Sequence, residues 1–340
     1  MAQNVLPRAV TRLVAVAGFC AVIQGAGFAA DGGRVEKAGK IVLYADFLDG
    51  GADSSAGLYA VDPATDVWTK IVSVPRQNGV VSLATIRVAP DGLTAAYNEY
   101  ETAKGKPYAS AASLRLQGLR PGEGSRQVGR IAGRPVWSPD GRELLLVEAV
   151  GGFEADGPGR FATWRVGADG SRPVRLPVPD TDEVGDWSSD GRWLAASAPV
   201  PGKGFDRDVV VMRPDGSERR RLTGSGRNLW PRFSHDGTRV AYHLDAKEGK
   251  GVWVVDLDGR NRRRVYANEG DSFVEHAAWS PDGTRLAAVL LTWSRDAKGN
   301  RTLGGETLGC PRLCVIDVAD GRLRGVPHPP ARLLGTPDWR

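Results

Sequence analysis

Trp279-Ser280-Pro281-Asp282-Gly283, followed by Thr284-Arg285-Leu286-Ala287-Ala288-Val289, reads as the end of one strand, a tight turn and the start of a second strand. Ser or Asp at the head of such a turn bonds nearby backbone N–H groups. Pro presets φ at the next position, and Gly accepts a positive φ at the end. The stretch has relatives at Ala89-Pro90-Asp91-Gly92, Ser138-Pro139-Asp140-Gly141, Ser188-Ser189-Asp190-Gly191 and Ser234-His235-Asp236-Gly237. With Ser280 as the fifth, successive starts lie 49, 50, 46 and 46 residues apart. A period of this size signals an array of similar units that bury their faces only against one another.

A large apolar residue precedes each turn: Val88, Trp137, Trp187, Phe233 and Trp279. An apolar run suited to a strand buried on both faces follows, as in Leu144 to Val147, Val240 to Tyr242 and Leu286 to Leu291. Second hairpins come later in each unit, at Met212-Arg213-Pro214-Asp215-Gly216 and Asp256-Leu257-Asp258-Gly259. Four strands per repeat of this length predict propeller blades. Leu222-Thr223-Gly224 leading into Phe233-Ser234-His235-Asp236-Gly237, then Val252-Trp253-Val254-Val255-Asp256-Leu257-Asp258-Gly259, resembles the WD40-like β-propeller repeat of the TolB family. The resemblance covers residues 40–340. It implies an envelope-associated role, since that family scaffolds contacts between outer-membrane lipoproteins and inner-membrane complexes. TolB proteins carry an α/β domain before the propeller, whereas here a short linker (residues 31–39) follows the leader, so a stand-alone propeller is expected.

Thr336-Pro337-Asp338-Trp339-Arg340 matches the lead-in Arg134-Pro135-Val136-Trp137-Ser138, and no such lead-in precedes Ile41. The C-terminal segment is therefore expected to supply the inner strand of the unit begun at Ile41, which removes open sheet edges. The resulting expectation is an all-β, six-bladed propeller with four-stranded blades. Its units are residues 41–72 with 334–340, then about 84–130, 133–177, 183–223, 229–267 and 275–326.

Residues 1–30 read as a signal peptide: Arg8 and Arg12, an apolar run from Leu13 to Ile23, then small residues with cleavage expected near Ala29 or Ala30. That run is too short and glycine-rich for a membrane span. Lipid anchoring at Cys20 is the alternative, opposed by Phe19 where a small residue is usual. A periplasmic or secreted monomer is expected. With Cys20 removed, Cys310 and Cys314 remain. An even pair in an exported chain suggests a disulfide. Four residues of extended strand span roughly 13 Å, too far to bridge unless Pro311 bends the chain, so two free thiols are the other reading. The net charge of +5 is mild for 340 residues and implies no nucleic-acid partner.

Strand parity sorts the connections onto two faces. One face carries tight Asp-Gly turns. The other collects longer, dissimilar connections: 46–57, 101–111, 151–159, 200–206, 245–250 and 294–308. Variable insertions on one face of a repeat protein mark an expected binding side, although such a face also merely tolerates them. The residue two before each turn serine gives a ring at the central channel: Arg87, Val136, Asp186, Arg232, Ala278 and Asp338. Two residues earlier lie Thr85, Arg134, Val184, Trp230, His276 and Thr336. Two arginines and two aspartates in one ring would grip a polar ligand, or would neutralise one another around water.

The candidate binding set is Arg87, Arg134, Asp186, Trp230, Arg232, Glu275, His276 and Asp338. His276 beside Glu275, with Glu269 and Asp271 upstream, is the best candidate cluster on the variable face. Asp180, Asp182 and Glu183 are a candidate calcium set or a solvated acidic link. Arg219-Arg220-Arg221 and Arg262-Arg263-Arg264 fall on outermost strands, where charge blocks edge pairing. No Gly-x-Ser-x-Gly elbow or phosphate-cradling glycine motif is found. No cofactor is predicted; a divalent metal in the channel is the alternative. The favoured function is a binding module for a protein or peptide of the cell envelope. The rival is a lyase or lactonase acting on an anionic sugar, in which Arg134, Arg232 and His276 hold a carboxylate and move a proton.

Overall fold

A computed structural model describes residues 39–47, 56–73, 85–101, 111–120, 123–129, 133–150, 159–224, 226–247, 249–293 and 311–340. The leader at 1–30, Cys310 and most of the longer connections lie outside the described residues. The repeated turn forms as its chemistry requires. Ser138 Oγ donates to Asp140 Oδ1 at 2.6 Å and accepts from Glu143 N at 2.9 Å, while Asp140 Oδ1 also accepts from Arg142 N at 3.1 Å. Ser188, Ser234 and Ser280 repeat the Ser-to-Asp bond at 2.6, 2.5 and 2.5 Å. Gly141 and Gly283 close their turns at φ of 69° and 67°, a region that penalises any Cβ. The bond from Ser138, ahead of the Arg142 N–H, holds the Asp140 carboxyl below its ordinary range.

Each turn joins an inner strand to a strand buried on both faces. The inner strands Ile86–Val88, Arg134–Trp137, Glu183–Trp187, Arg227–Phe233, Ser272–Trp279 and Asp338–Trp339 touch one another in succession, and the last meets the first around a central channel. The molecule is thus a β-propeller. Trp137 Nε1 donates to Arg87 O at 2.9 Å and Trp279 Nε1 to Arg232 O at 3.0 Å, so the apolar residue before the turn also ties one inner strand to its neighbour.

The expectation of six separate four-stranded blades requires correction. Four blades stand as separate sheets. Three have four strands: Ile86–Val88 to Ser125–Gly129, Arg134–Trp137 to Val174–Arg175, and Ser272–Trp279 to Leu323–Gly325. The fourth has five, because two C-terminal strands, Ala331–Leu334 and Asp338–Trp339, both pair with Ile41–Phe47. Residues 183–267, read from sequence as two further blades, form one continuous eight-stranded sheet. The two units join through a single parallel pair, Arg207 opposite Arg227, beyond the outer strand Arg220–Arg221, which pairs with Val210 and Val211. Arg207 N donates to Gly226 O at 3.0 Å and Asn228 Nδ2 to Arg207 O at 2.7 Å.

The expected joining of the two ends is present. Ile41 opposes Trp339, Val42 opposes Asp338, and Lys40 and Arg340 exchange backbone bonds of 2.8 and 3.0 Å. Trp339 is 1 % exposed, lies in the core cluster with Ile41, Leu43 and Ala278, and donates from Nε1 to Gly39 O at 2.7 Å. The Arg285 guanidinium sits 5.2 Å from its ring centroid. Several arginines of the two triplets make side-chain contacts. Arg219 pairs with Asp182 at 2.8 Å, Arg221 with Asp208 at 3.0 Å, and Arg262 donates to Tyr242 Oη at 2.6 Å. Cys314 is a free, buried thiol whose Sγ lies 3.3 Å from Ala288 O, and burial pushes its pKa up to about 12. Truncation of the closure residue, Trp339→Ala, is expected to destabilise the fold by about 3–5 kcal/mol, the usual cost of emptying a large aromatic site. Urea denaturation measures it, and a loss below about 1 kcal/mol would mean the ring closes without this side chain.

Candidate functional site

The inner strands bring most of the candidate set to the channel, in two tiers. The upper tier, toward the tight turns, holds Arg87, Val136, Asp186, Arg232 and Asp338 on the lining of a cavity of about 340 Å³. The lower tier lines a constriction of about 20 Å³ and contains all six residues of the second predicted ring: Thr85, Arg134, Val184, Trp230, His276 and Thr336. Arg87 and Arg232 border both spaces and form the waist between them. The wide mouth therefore opens among the tight turns, with Pro90, Pro139, Ser189, His235 and Pro281 at its rim. The sequence had pointed to the opposite face, whose connections lie mostly outside the described residues.

The upper tier is a charge network. Arg232 Nη2 donates to Asp338 Oδ1 at 2.8 Å, and its Nε lies 3.4 Å from Asp186 Oδ2. Arg340 Nε is 3.3 Å from Asp338 Oδ2 and Arg87 Nη1 is 4.0 Å from Asp338 Oδ1. Both aspartates are also anchored by backbone donors. Val88 N reaches Asp338 Oδ2 and Phe233 N reaches Asp186 Oδ2, each at 2.8 Å. Burial, opposed first by Arg87, raises Asp186 to about 6. Burial likewise lowers the Arg87 guanidinium below its ordinary value, against the pull of Asp186 and Asp338. Arg87 Nη2 donates to Gly185 O at 3.0 Å. Position 185 admits only glycine, since a Cβ there would stand 2.6 Å from Pro231 O.

The lower tier rests on irregular backbone. The pairing register shifts between Leu229 and Arg232 and again between Glu275 and Ala278. At these bulges Trp230 and His276 adopt φ of 54° and 55°, a left-handed conformation that costs a large side chain energy. Both turn into the constriction and stack with centroids 4.3 Å apart, and His243 follows at 5.6 Å from Trp230. Burial, with Arg134 and Arg87 nearby, drives His276 down to about 3; burial lowers His243 to about 4. Glu275 is raised to about 7 by burial, and its carboxylate lies 3.9 Å from His276 Nε2. The two side chains are 30 % and 28 % exposed. Arg134 pairs with Glu183 at the same level.

Sequence reasoning missed Arg340 and the aromatic wall of Trp137, Trp187 and Trp279 around the mouth. The signal for the wall was present, because these are the apolar residues before each turn. His235 touches Trp279 O and Trp339 O through Nε2 at 3.2 and 3.1 Å and also borders the mouth. The candidate calcium set is occupied by arginines: Asp180 by Arg160, Asp182 by Arg219 and Glu183 by Arg134. Among the described residues no His, Cys, Asp and Glu side chains gather as a metal-binding group.

A propeller whose narrow channel is lined by charge and strained aromatics defines the class of protein. Its repeats are TolB-like. The chain is 33 % identical over 125 residues to a protein TolB homolog of Chlorobium luteolum, a match covering 36 % of this chain and 26 % of that protein. It is 37 % identical over 76 residues to Tol-Pal system protein TolB 1 of Novosphingobium aromaticivorans, covering 22 % and 16 %. The matched stretches thus span about a quarter or less of these relatives. No protein-family model matches the chain. Among solved structures, TolB from Acinetobacter baumannii superimposes with a TM-score of 0.63 at 17 % identity, over 88 % of this chain and 66 % of that one. A putative TolB from Agrobacterium tumefaciens gives 0.58 at 18 % identity, over 86 % and 90 %. At these identities the similarity establishes the fold.

Linkage gives Glu275 a measurable signature. Its folded pKa lies above the ordinary 4.5, so its contribution to stability is complete below that value and is lost as pH rises through about 7. The neighbouring imidazole runs the opposite way, contributing above its ordinary 6.5 and losing that contribution as pH falls toward 3. The variant Glu275→Gln keeps the shape and removes the carboxyl's titration. Between pH 5 and pH 8 it is expected to gain on the wild type by at most about 3 kcal/mol, reduced by whatever water enters the lumen. Equal urea-unfolding differences at the two pH values would show that this carboxyl titrates as in water.

Proposed function

We propose that this chain is an exported, envelope-facing propeller that binds a protein or peptide partner at the mouth of its channel. The observation that carries the reading is the cavity of about 340 Å³, with indole walls above and a charged floor at Arg87, Asp186, Arg232 and Asp338. That volume is at the small end for ligand pockets, so a short segment or side chain enters while the surrounding turn face carries the rest of the contact. Aromatic walls and arginines are the groups that dominate binding energy at interfaces. The leader pattern of residues 1–30 supports export. One relative is a Tol-Pal system protein, which supports an envelope partner. Among the described residues no helix is long and apolar enough to cross a membrane.

The enzyme reading fits less well. Its set, Arg134, Arg232 and His276, lines a constriction of about 20 Å³, room for a water rather than a sugar ring. The neutral His276 and stacked Trp230 have the character of a wedge that narrows the channel. A photoreactive residue placed at Ser189, on the rim, is expected to give a discrete protein adduct in envelope extract. The same residue at the exposed outer-strand position Arg175 is expected to give none. Equal labelling from both positions, or none from Ser189, would count against a partner at the mouth.

A further inference from the structure

The waist of the channel has more donors than acceptors. Arg87 and Arg232 are 7 % and 8 % exposed, yet Arg87 Nε and Nη1 and Arg232 Nε have no hydrogen-bond acceptor among the described residues. The two carboxylates are already engaged, and they face Arg232 Nε and Arg87 Nη1 only as ion pairs, at 3.4 Å from Asp186 and 4.0 Å from Asp338. Asp338 takes Arg232 on one oxygen and Val88 N on the other, and Asp186 Oδ2 takes Phe233 N. Three guanidinium groups, counting Arg340, face two aspartates across the floor of the mouth. Buried arginine donors without acceptors are costly, and a planar bidentate acceptor matches their fork. Both guanidinium groups border the wide cavity, so such an acceptor reaches them from the tight-turn face.

We propose that Arg87 and Arg232, with Arg340 beside them, form a carboxylate-binding site at the floor of the channel mouth. The site rests on the binding reading above and names the chemistry of the anchor: the carboxylate enters first and the indole walls enclose the group that carries it. Trp137, Trp187 and Trp279 line the same cavity, Trp187 being the most exposed of the three. That arrangement suits an acid joined to an apolar or ring-shaped body better than a bare inorganic anion.

The test uses calorimetry on the full chain with four probes: N-acetyl-Gly-Gly-Phe with a free carboxylate, its C-terminal amide, N-acetyl-Gly-Glu-Gly amide, and galacturonate. The expected result is binding of at least one carboxylate probe at least about tenfold tighter than the amide, weakening with added salt. The first probe reports a chain terminus, the third an acidic side chain and the fourth a sugar acid. Arg87→Gln is expected to weaken the bound probe by about tenfold or more. Because Arg87 is buried and that variant could misfold, Arg340→Ala serves as the second, with an expected loss of about threefold or more. Arg260→Ala, far out on an exposed turn, is the control and leaves affinity unchanged. Amide and acid binding equally, or no carboxylate probe binding to protein with a native circular dichroism spectrum, overturns the carboxylate site. Equal binding of the amide leaves a peptide-binding mouth intact, while galacturonate binding alone upholds the anchor and removes the peptide reading.

Discussion

The carboxylate of Asp338 holds together parts of the chain that are otherwise far apart. It sits on the last inner strand, takes the Val88 N–H from the neighbouring inner strand, and takes Arg232 from across the channel. Position 338 is 250 residues from Val88 and 106 from Arg232. A buried ion pair of this kind adds little net stability over an apolar substitute, but removing one partner leaves the other stranded at a cost of about 3–5 kcal/mol. Its contacts reach three inner strands at once, those of Val88, Arg232 and Asp338 itself. Through those contacts it holds the Arg232 guanidinium at the waist.

From that constraint the two tiers take opposite characters. Above the waist the lining is aromatic and charged, with room for a ligand. Below it, two bulges turn Trp230 and His276 inward in left-handed backbone, and the space closes to about 20 Å³. The strain at both residues is local, and the stacking of their rings across adjacent inner strands offsets part of it. Burial keeps the imidazoles of His243 and His276 neutral and Glu275 largely protonated below about 7, so the lower channel carries little formal charge apart from its arginines. The charged floor thus lies at the wide, tight-turn end of the channel.

The eight-stranded sheet shows how a repeat can be right in pattern and wrong in partition. Every tight turn forms where the Ser-x-Asp-Gly spacing puts it, because its bonds join atoms within five residues of one another. Separation of sheets depends on something else: whether the start of one unit's third strand meets the inner strand of the next unit. At Arg207 they meet, because the next inner strand bonds there through Gly226 O and the Asn228 side chain. Nothing in the local pattern of either repeat records that meeting.

Sequence alone determined the turns, the buried strands, the pairing of Asp338 and Trp339 with Ile41 and Val42, and the membership of the lower ring, since all of these follow from period and register. Even the aromatic wall was legible, as the apolar residue ahead of each turn. Tertiary structure alone decided that four blades stand apart while residues 183–267 run together, that the cavity opens on the tight-turn face, and that Arg340 joins the floor. Those outcomes depend on edges and volumes shared between distant segments. A linear pattern states which residues face inward but not how much space remains once they have met.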